Sequence, residues 1–150
     1  NLGLRDRLLT LQKSLVRIIT ACRNPISHTD PLFADLAILK IGDLYTQRLR
    51  MFAYKLSKGL LPSGVSSLFD KVNHGHKTRG ASSNIFVGRY DSRSIKTIAP
   101  RCWNALPASM KGSPSLASFK EMSKRSLLAP YALFTCGVGG CVSCTGSDGH

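Results

Sequence analysis

Pro100-Arg101-Cys102-Trp103-Asn104-Ala105-Leu106-Pro107 and, after a short polar spacer, Ser115-Leu116-Ala117-Ser118-Phe119-Lys120 are the stretch on which the reading of this chain turns. The one tryptophan stands between two prolines, next to an asparagine able to cap backbone groups. Flanked by Leu106 and Pro107, Trp103 reads as a core anchor in preference to a platform for stacked bases. Ser113 to Ser115 then caps a last helix. Its Leu116, Phe119, Ser123 and Leu127 share one face, while Lys120, Lys124 and Arg125 stay in water.

Working back toward the N-terminus, the helical period persists. Leu4, Leu8, Leu11, Leu15, Ile18 and Cys22 recur at alternating four- and three-residue spacing, the seam of an amphipathic helix running to about Ala21. Its far side carries Arg7, Lys13, Ser14 and Arg17, either a basic face for a nucleic-acid backbone or a solvated surface. His28-Thr29-Asp30-Pro31-Leu32-Phe33 reads as a helix start, with Thr29 or Asp30 as cap and Pro31 where no N–H is needed. That short helix is expected to end near Lys40, and His28 reads as a capping or surface group. A longer helix is predicted from about Gly42 to Ser57, with Leu44, Tyr45, Leu49, Phe52 and Leu56 as its stripe. Gly59 stops it, and Leu60-Leu61-Pro62 prevents its continuation.

From Asp70 to Asn84 the chain turns polar and reads as a loop, with His74 and His76 around Gly75. Ile85-Phe86-Val87 and Ser94-Ile95-Lys96 read as extended segments of a short β-hairpin. The fold class expected is therefore mainly α: a small helical domain with a short hairpin and a Cys-rich C-terminal tail. The helical module spans 1–131 and the Cys/Gly-rich tail 132–150.

Charge narrows the function. The 150 residues carry 21 Lys and Arg against 8 Asp and Glu, a net +13. Such a field repels itself and makes sense beside a polyanion. Between Lys71 and Arg101, Lys71, Lys77, Arg79, Arg89, Arg93, Lys96 and Arg101 face Asp91 alone. From Pro25 to Asp70, five cations face four carboxylates. The nucleic-acid footprint is therefore expected at Arg7, Lys13 and Arg17 on the first helix, and at Lys77, Arg79, Arg89, Arg93, Lys96 and Arg101. Phe86 and Tyr90 are interleaved with these cations, either filling the hairpin core or stacking on unpaired bases. No apolar run reaches the length that spans a bilayer, so no membrane partner is expected. Residue 1 is Asn, which suggests a piece of a longer protein.

Pro100, Trp103-Asn104, Leu106-Pro107 and the Ser115-to-Lys120 run together resemble the C-terminal region of reverse transcriptases from non-LTR (LINE-type) retrotransposons. Leu11-Gln12-Lys13 with Arg17-Ile18-Ile19, the His28-to-Phe33 run with Leu36, Ile38 and Leu39, and Asp43-Leu44-Tyr45 extend the resemblance. Phe52, Tyr54 and Lys55, Leu60-Leu61-Pro62, Thr78-Arg79 and Ser94-Ile95-Lys96 continue it in the same order, over roughly residues 8 to 131. The resemblance implies the thumb and post-thumb part of an RNA-directed DNA polymerase, binding RNA and/or DNA beside the rest of that polypeptide. The palm's Tyr-x-Asp-Asp carboxylates, which converge on divalent ions for nucleotidyl transfer, do not occur in this chain. It is expected to catalyse nothing by itself. A rival reading is a structural or interaction domain, a retroelement remnant pairing with another helix through the leucine seam of residues 4–22.

The tail carries a second chemical pattern. Cys136, Cys141, Cys144 and His150 have the spacing Cys-x4-Cys-x2-Cys-x5-His, enough for a tetrahedral zinc shell, with glycines permitting the tight backbone. The alternative is a tail with reactive thiols. Cys22 and Cys102 stand alone and read as buried free thiols of an intracellular protein, cytoplasmic or nuclear.

Overall fold

A computed structural model describes residues 2–22, 28–69, 84–85, 87 and 91–132. Its elements are α1 (Leu2–Ile19), α2 (Asp30–Asp35), α3 (Ile41–Ser57), α4 (Ser63–Ser66), α5 (Ile95–Asn104), α6 (Ala108–Lys111) and α7 (Leu116–Ala132). The chain is mainly helical, and among the described residues there is no strand. Phe86 and Tyr90 lie outside those residues, as do His74 and His76. Two compact units are present: unit 1 is Asn1–Tyr45 with Lys124–His150, and unit 2 is Thr46–Ser123, so the division falls within α3 and α7.

Unit 1 is built on Val16, Leu32, Phe33 and Tyr131, with Cys22, Ala34, Leu36, Ile38 and Leu128 packed around them. The leucine seam of α1 is not part of that core. Leu4, Leu8, Leu11, Leu15 and Ile18 are 57, 44, 61, 58 and 74% exposed, whereas Val16 is 2% exposed. At 100° per residue, Val16 lies about a third of a turn from the seam. The helix thus buries the face of Gln12 and Val16 and leaves its most regular apolar stripe in water.

A polar knot locks that face. The Gln12 amide donates to the Leu39 carbonyl at 2.7 Å and accepts from the Ile41 N–H at 2.9 Å. Lys40 Nζ reaches Asp30 Oδ2 at 2.6 Å and stands 4.4 Å from the Tyr131 ring centroid. The Lys40 N–H donates to the Tyr131 hydroxyl, which donates in turn to Asp43. Burial, reinforced by that carboxylate, pushes the Tyr131 phenol well above its usual range.

Helix ends explain two departures from the sequence reading. α2 stops at Asp35, not near Lys40, because Ala37 takes a left-handed conformation (φ 50°) and Ile38 N bonds back to the Phe33 carbonyl. Ala21 (φ 51°) ends α1 in the same way, with Cys22 N on the Arg17 carbonyl. Each is a six-to-one closure that glycine normally supplies. Thr29 is the N-cap of α2 but its side chain makes no cap bond there, and Asp30 serves Lys40 instead. Pro31 holds the first-turn position expected of it.

Unit 2 closes around Ala53, Tyr54, Ile85, Trp103, Leu106, Met110 and Phe119. Tyr54 and Phe119 stack at 4.6 Å between centroids, and Trp103 meets both, at 6.3 and 6.2 Å. Trp103 is 2% exposed, the core anchor its flanks suggest. On α3, Leu49 is buried, but Leu44 and Tyr45 at the start of the expected stripe are exposed. Gly59 (φ 68°) terminates α3 as the sequence indicates.

Of Ser94-Ile95-Lys96 only Ser94, the residue before α5, is extended; Ile95 and Lys96 are helical. The Ser94 hydroxyl caps α5 by accepting from the Lys96 N–H at 3.3 Å, and Ile95 opens the helix. Pro100 sits inside α5 and forfeits the bond its nitrogen would make to the Lys96 carbonyl. Burial of Thr97, Ala99, Pro100 and Trp103 along α5 holds the helix despite that loss. At the start of α7 the Ser115 hydroxyl accepts from the Ser118 N–H at 3.1 Å, the cap expected there. Phe119 and Ser123 are fully buried, with Leu116 and Leu127 half-buried.

Candidate nucleic-acid interface

The expected cations fall into three groups. Lys77, Arg79 and Arg89 lie outside the described residues. Arg7, Lys13 and Arg17 belong to unit 1, and Arg93, Lys96 and Arg101 to unit 2.

On α1, Arg7 is exposed while Lys13 and Arg17 are half-buried. Arg7, Thr10, Ser14 and Arg17 follow one another at three- and four-residue steps and form a single polar stripe. The two hydroxyls on it are spent on the helix itself, Thr10 donating to the Asp6 carbonyl and Ser14 to that of Thr10. Of the stripe's two guanidinium groups, that of Arg7 is exposed and that of Arg17 is half-buried.

In unit 2, Arg93 is exposed in the turn before α5, which Asp91 shapes by accepting from the Arg93 N–H at 3.0 Å. Arg101 is exposed near the helix end. Lys96 lies about 140° around α5 from Arg101, on the side that carries Trp103, and is half-buried. These three cations therefore do not share one helix face.

Other cations are committed internally. Lys40 is held by Asp30 and the Tyr131 ring. Lys58 stands over Tyr54, and Lys111 over Trp103 while donating to Asn84 and to the Asn104 carbonyl. Arg50 is half-buried, bonds Ser123 at 3.4 Å and lies beside the Cys102 thiol. Burial raises the Cys102 pKa, and Arg50 opposes the rise only in part, so the thiol stays protonated and a poor nucleophile at neutral pH. Cys22 and Cys102 form no disulfide and are half-buried, less enclosed than their sequence settings suggest.

Among the exposed cations that the sequence reading did not single out as site residues are Arg48 on α3 and Lys120 on α7, both in unit 2. The Gln47 amide donates to the Lys120 carbonyl at 3.3 Å, so this part of α3 runs beside α7 with both cations facing solvent. Helical periodicity was sufficient to place them off the apolar stripes; their juxtaposition depended on the pairing of two helices distant in sequence.

The tail residues Cys136, Cys141, Cys144 and His150 lie outside the described residues. Among those described, no group of three or more His, Cys, Asp or Glu is placed to hold a metal ion. Nor is any described helix long and apolar enough to cross a membrane. No protein family, curated protein or solved structure matches the chain.

Proposed function

We propose that the chain is a non-catalytic nucleic-acid-binding module in which unit 2 grips template and primer through backbone phosphates. The partition of charge between the units supports this most directly. Unit 2 carries 13 Lys and Arg against 3 Asp and Glu, a net +10, whereas unit 1 carries 8 against 5, a net +3. Phosphate contacts ask for exposed Lys and Arg on helix faces and turns, without base-reading geometry. Arg48, Arg93, Arg101 and Lys120 are of that kind.

The resemblance to non-LTR reverse transcriptases gives the proposal its setting. On this reading the fragment is thumb and post-thumb material of an RNA-directed DNA polymerase, inside the cell, with the chemistry performed by a palm elsewhere in the polypeptide. Cys136, Cys141, Cys144 and His150 would close a zinc shell at its end. Metal analysis of protein made under reducing conditions should then find about one zinc per chain, lost in Cys141→Ser. Metal-free wild-type protein would remove the zinc assignment.

Binding of labelled RNA, DNA and hybrid duplexes between about 50 and 200 mM salt tests the main reading. Affinity should fall steeply, with a slope of about −0.9 per phosphate neutralised on B-DNA. Arg93→Ala and Arg101→Ala should each lower that slope by about one and weaken all sequences alike. Affinity that is absent, or flat across the salt range, overturns the proposal.

A further inference from the structure

The apolar face that α1 leaves in water is wider than its leucine line. Ile19, 62% exposed, joins Leu4, Leu8, Leu11, Leu15 and Ile18. At about 100° per residue the six cover roughly 100° of the helix surface, and Leu4 to Ile18 spans about 21 Å. A fully exposed Leu or Ile offers about 200 Å², so their exposed fractions amount to roughly 700 Å² per chain. Two such faces pressed together would bury about 1,400 Å², within the range of stable interfaces, and still about 1,000 Å² with a quarter left wet. Scattered surface leucines do not reach that size.

The face is also nearly free of charge. Arg7 borders one edge. Beyond the other edge, the Gln12 amide is bonded to the backbone of Leu39 and Ile41, and the Arg5 guanidinium lies over Gly42. Asp6, Lys13 and Arg17 lie about 150° or more from the centre of the face. A surface that covers it must be apolar, about as long and almost uncharged. The same face of a second copy has all three properties. Crossed antiparallel about Leu11, it brings Leu4 beside Ile18 of the second copy. Each Arg7 then faces a leucine, Leu15, and the two Arg7 stand about 12 Å apart along the axis.

From this area and this lack of charge we infer that the chain forms a two-fold dimer, the Leu4–Ile19 face of α1 packing antiparallel on the same face of a second copy. The interface is apolar at its centre, as homodimer interfaces are. Opposing it is the long-range repulsion between two chains of net +13, which salt screens. Dimerisation therefore tightens with salt, where binding to nucleic acid loosens. Either property can fail without the other.

Sedimentation equilibrium of the whole 150-residue chain, freed of nucleic acid, tests this at about 50 and 500 mM salt. Mass should rise from monomer to dimer with concentration, and the dimer should be tighter at the higher salt. Leu11→Gln and Leu15→Gln keep a good helix former at exposed positions, so circular dichroism should show the helix content unchanged. Each removes two leucines from the dimer and should weaken it tenfold or more. Wild type mixed with Arg7→Glu should give mixed dimers in statistical proportion, because Arg7 faces no charge across the antiparallel pair. A preference for the mixed dimer would mean that the helices pair in parallel, and would overturn the arrangement. A chain that stays monomeric to about 100 μM at both salts overturns the dimer itself. So does a dimer indifferent to both glutamines. Monomeric chain that binds phosphatidylglycerol vesicles and loses them in Leu11→Gln would assign the face to a membrane surface and overturn it as well.

Discussion

Units 1 and 2 are made of similar helices but hold themselves together differently. Unit 2 encloses three aromatic rings, Tyr54, Trp103 and Phe119, all in contact. Unit 1 has a smaller apolar centre and ties its segments with the side chains of Gln12, Asp30, Lys40, Asp43 and Tyr131. The charge is divided unequally as well, at a net +10 against +3. Both units draw cations into their packing, unit 1 Lys40 between Asp30 and Tyr131, and unit 2 Arg50, Lys58 and Lys111. Unit 2 carries so many that it still has more charge to offer.

Removing an aromatic ring should expose the contrast most strongly. Phe119→Ala should cost unit 2 about 3–5 kcal/mol, the range for a fully buried Phe truncated to Ala. Trp103 is the only tryptophan and lies in that core, so its fluorescence during urea unfolding reports unit 2 directly. An unchanged midpoint would mean that the stack carries little of the stability.

The next effect concerns a polar substitute for a strand. Asn104 accepts from the Ile85 N–H and donates to the Ile85 carbonyl, both at 3.0 Å, mimicking a neighbouring backbone. Asn104→Ala should cost about 2–3 kcal/mol by leaving both backbone groups of buried Ile85 unmet. Asn104→Asp keeps the acceptor and should recover part of that loss. If Asp and Ala behave alike in the same urea titration, the two-way bond is not what fixes residue 85.

In unit 1 the corresponding change is Tyr131→Phe, expected to cost about 1–2 kcal/mol for the bonds to Asp43 and Lys40. It carries a pH signature. The folded state holds the phenolic proton above its usual range, while the unfolded chain releases it near pH 10. The stabilisation is therefore full below about pH 10 and is lost as pH rises beyond it. Wild-type stability should fall in that alkaline window, and Tyr131→Phe should fall less steeply. Parallel pH profiles would sink this account.

The smallest effect compares helix stops. Unit 2 ends α3 with Gly59, whereas unit 1 ends α1 and α2 with Ala21 and Ala37 in the same left-handed region. An alanine there is strained by its Cβ. Ala37→Gly should raise thermal stability by about 0.5–1 kcal/mol, the relief of strain exceeding the added freedom of the unfolded chain. A loss of stability would show that Ala37 makes contacts that outweigh the strain.

Much of the helical framework could be read from local signals. The span of α3, the stop at Gly59, the cap at Ser115 and the burial of Trp103 all follow from residues within a turn or two of each other. α5 was hidden because Ser94-Ile95-Lys96 reads as extended, and Pro100 removes one helical hydrogen bond from the segment. The cap at Ser94 and the burial of Trp103 outweigh one missing hydrogen bond. For the candidate interface, the sequence marked Arg93, Lys96 and Arg101 as a group by their proximity along the chain. The turn of α5 separates Lys96 from Arg101, and the pairing of α3 with α7 adds Arg48 and Lys120.

Periodicity, composition and capping residues by themselves determined that this chain would be helical, basic and anchored at its tryptophan, since each depends on neighbours along the backbone. Which stripe of α1 faces inward was decided only in three dimensions. A regular leucine line states that a partner surface is wanted, but not who supplies it. Unit 1 met the Gln12–Val16 side with its own hydrogen bonds and left the leucines exposed.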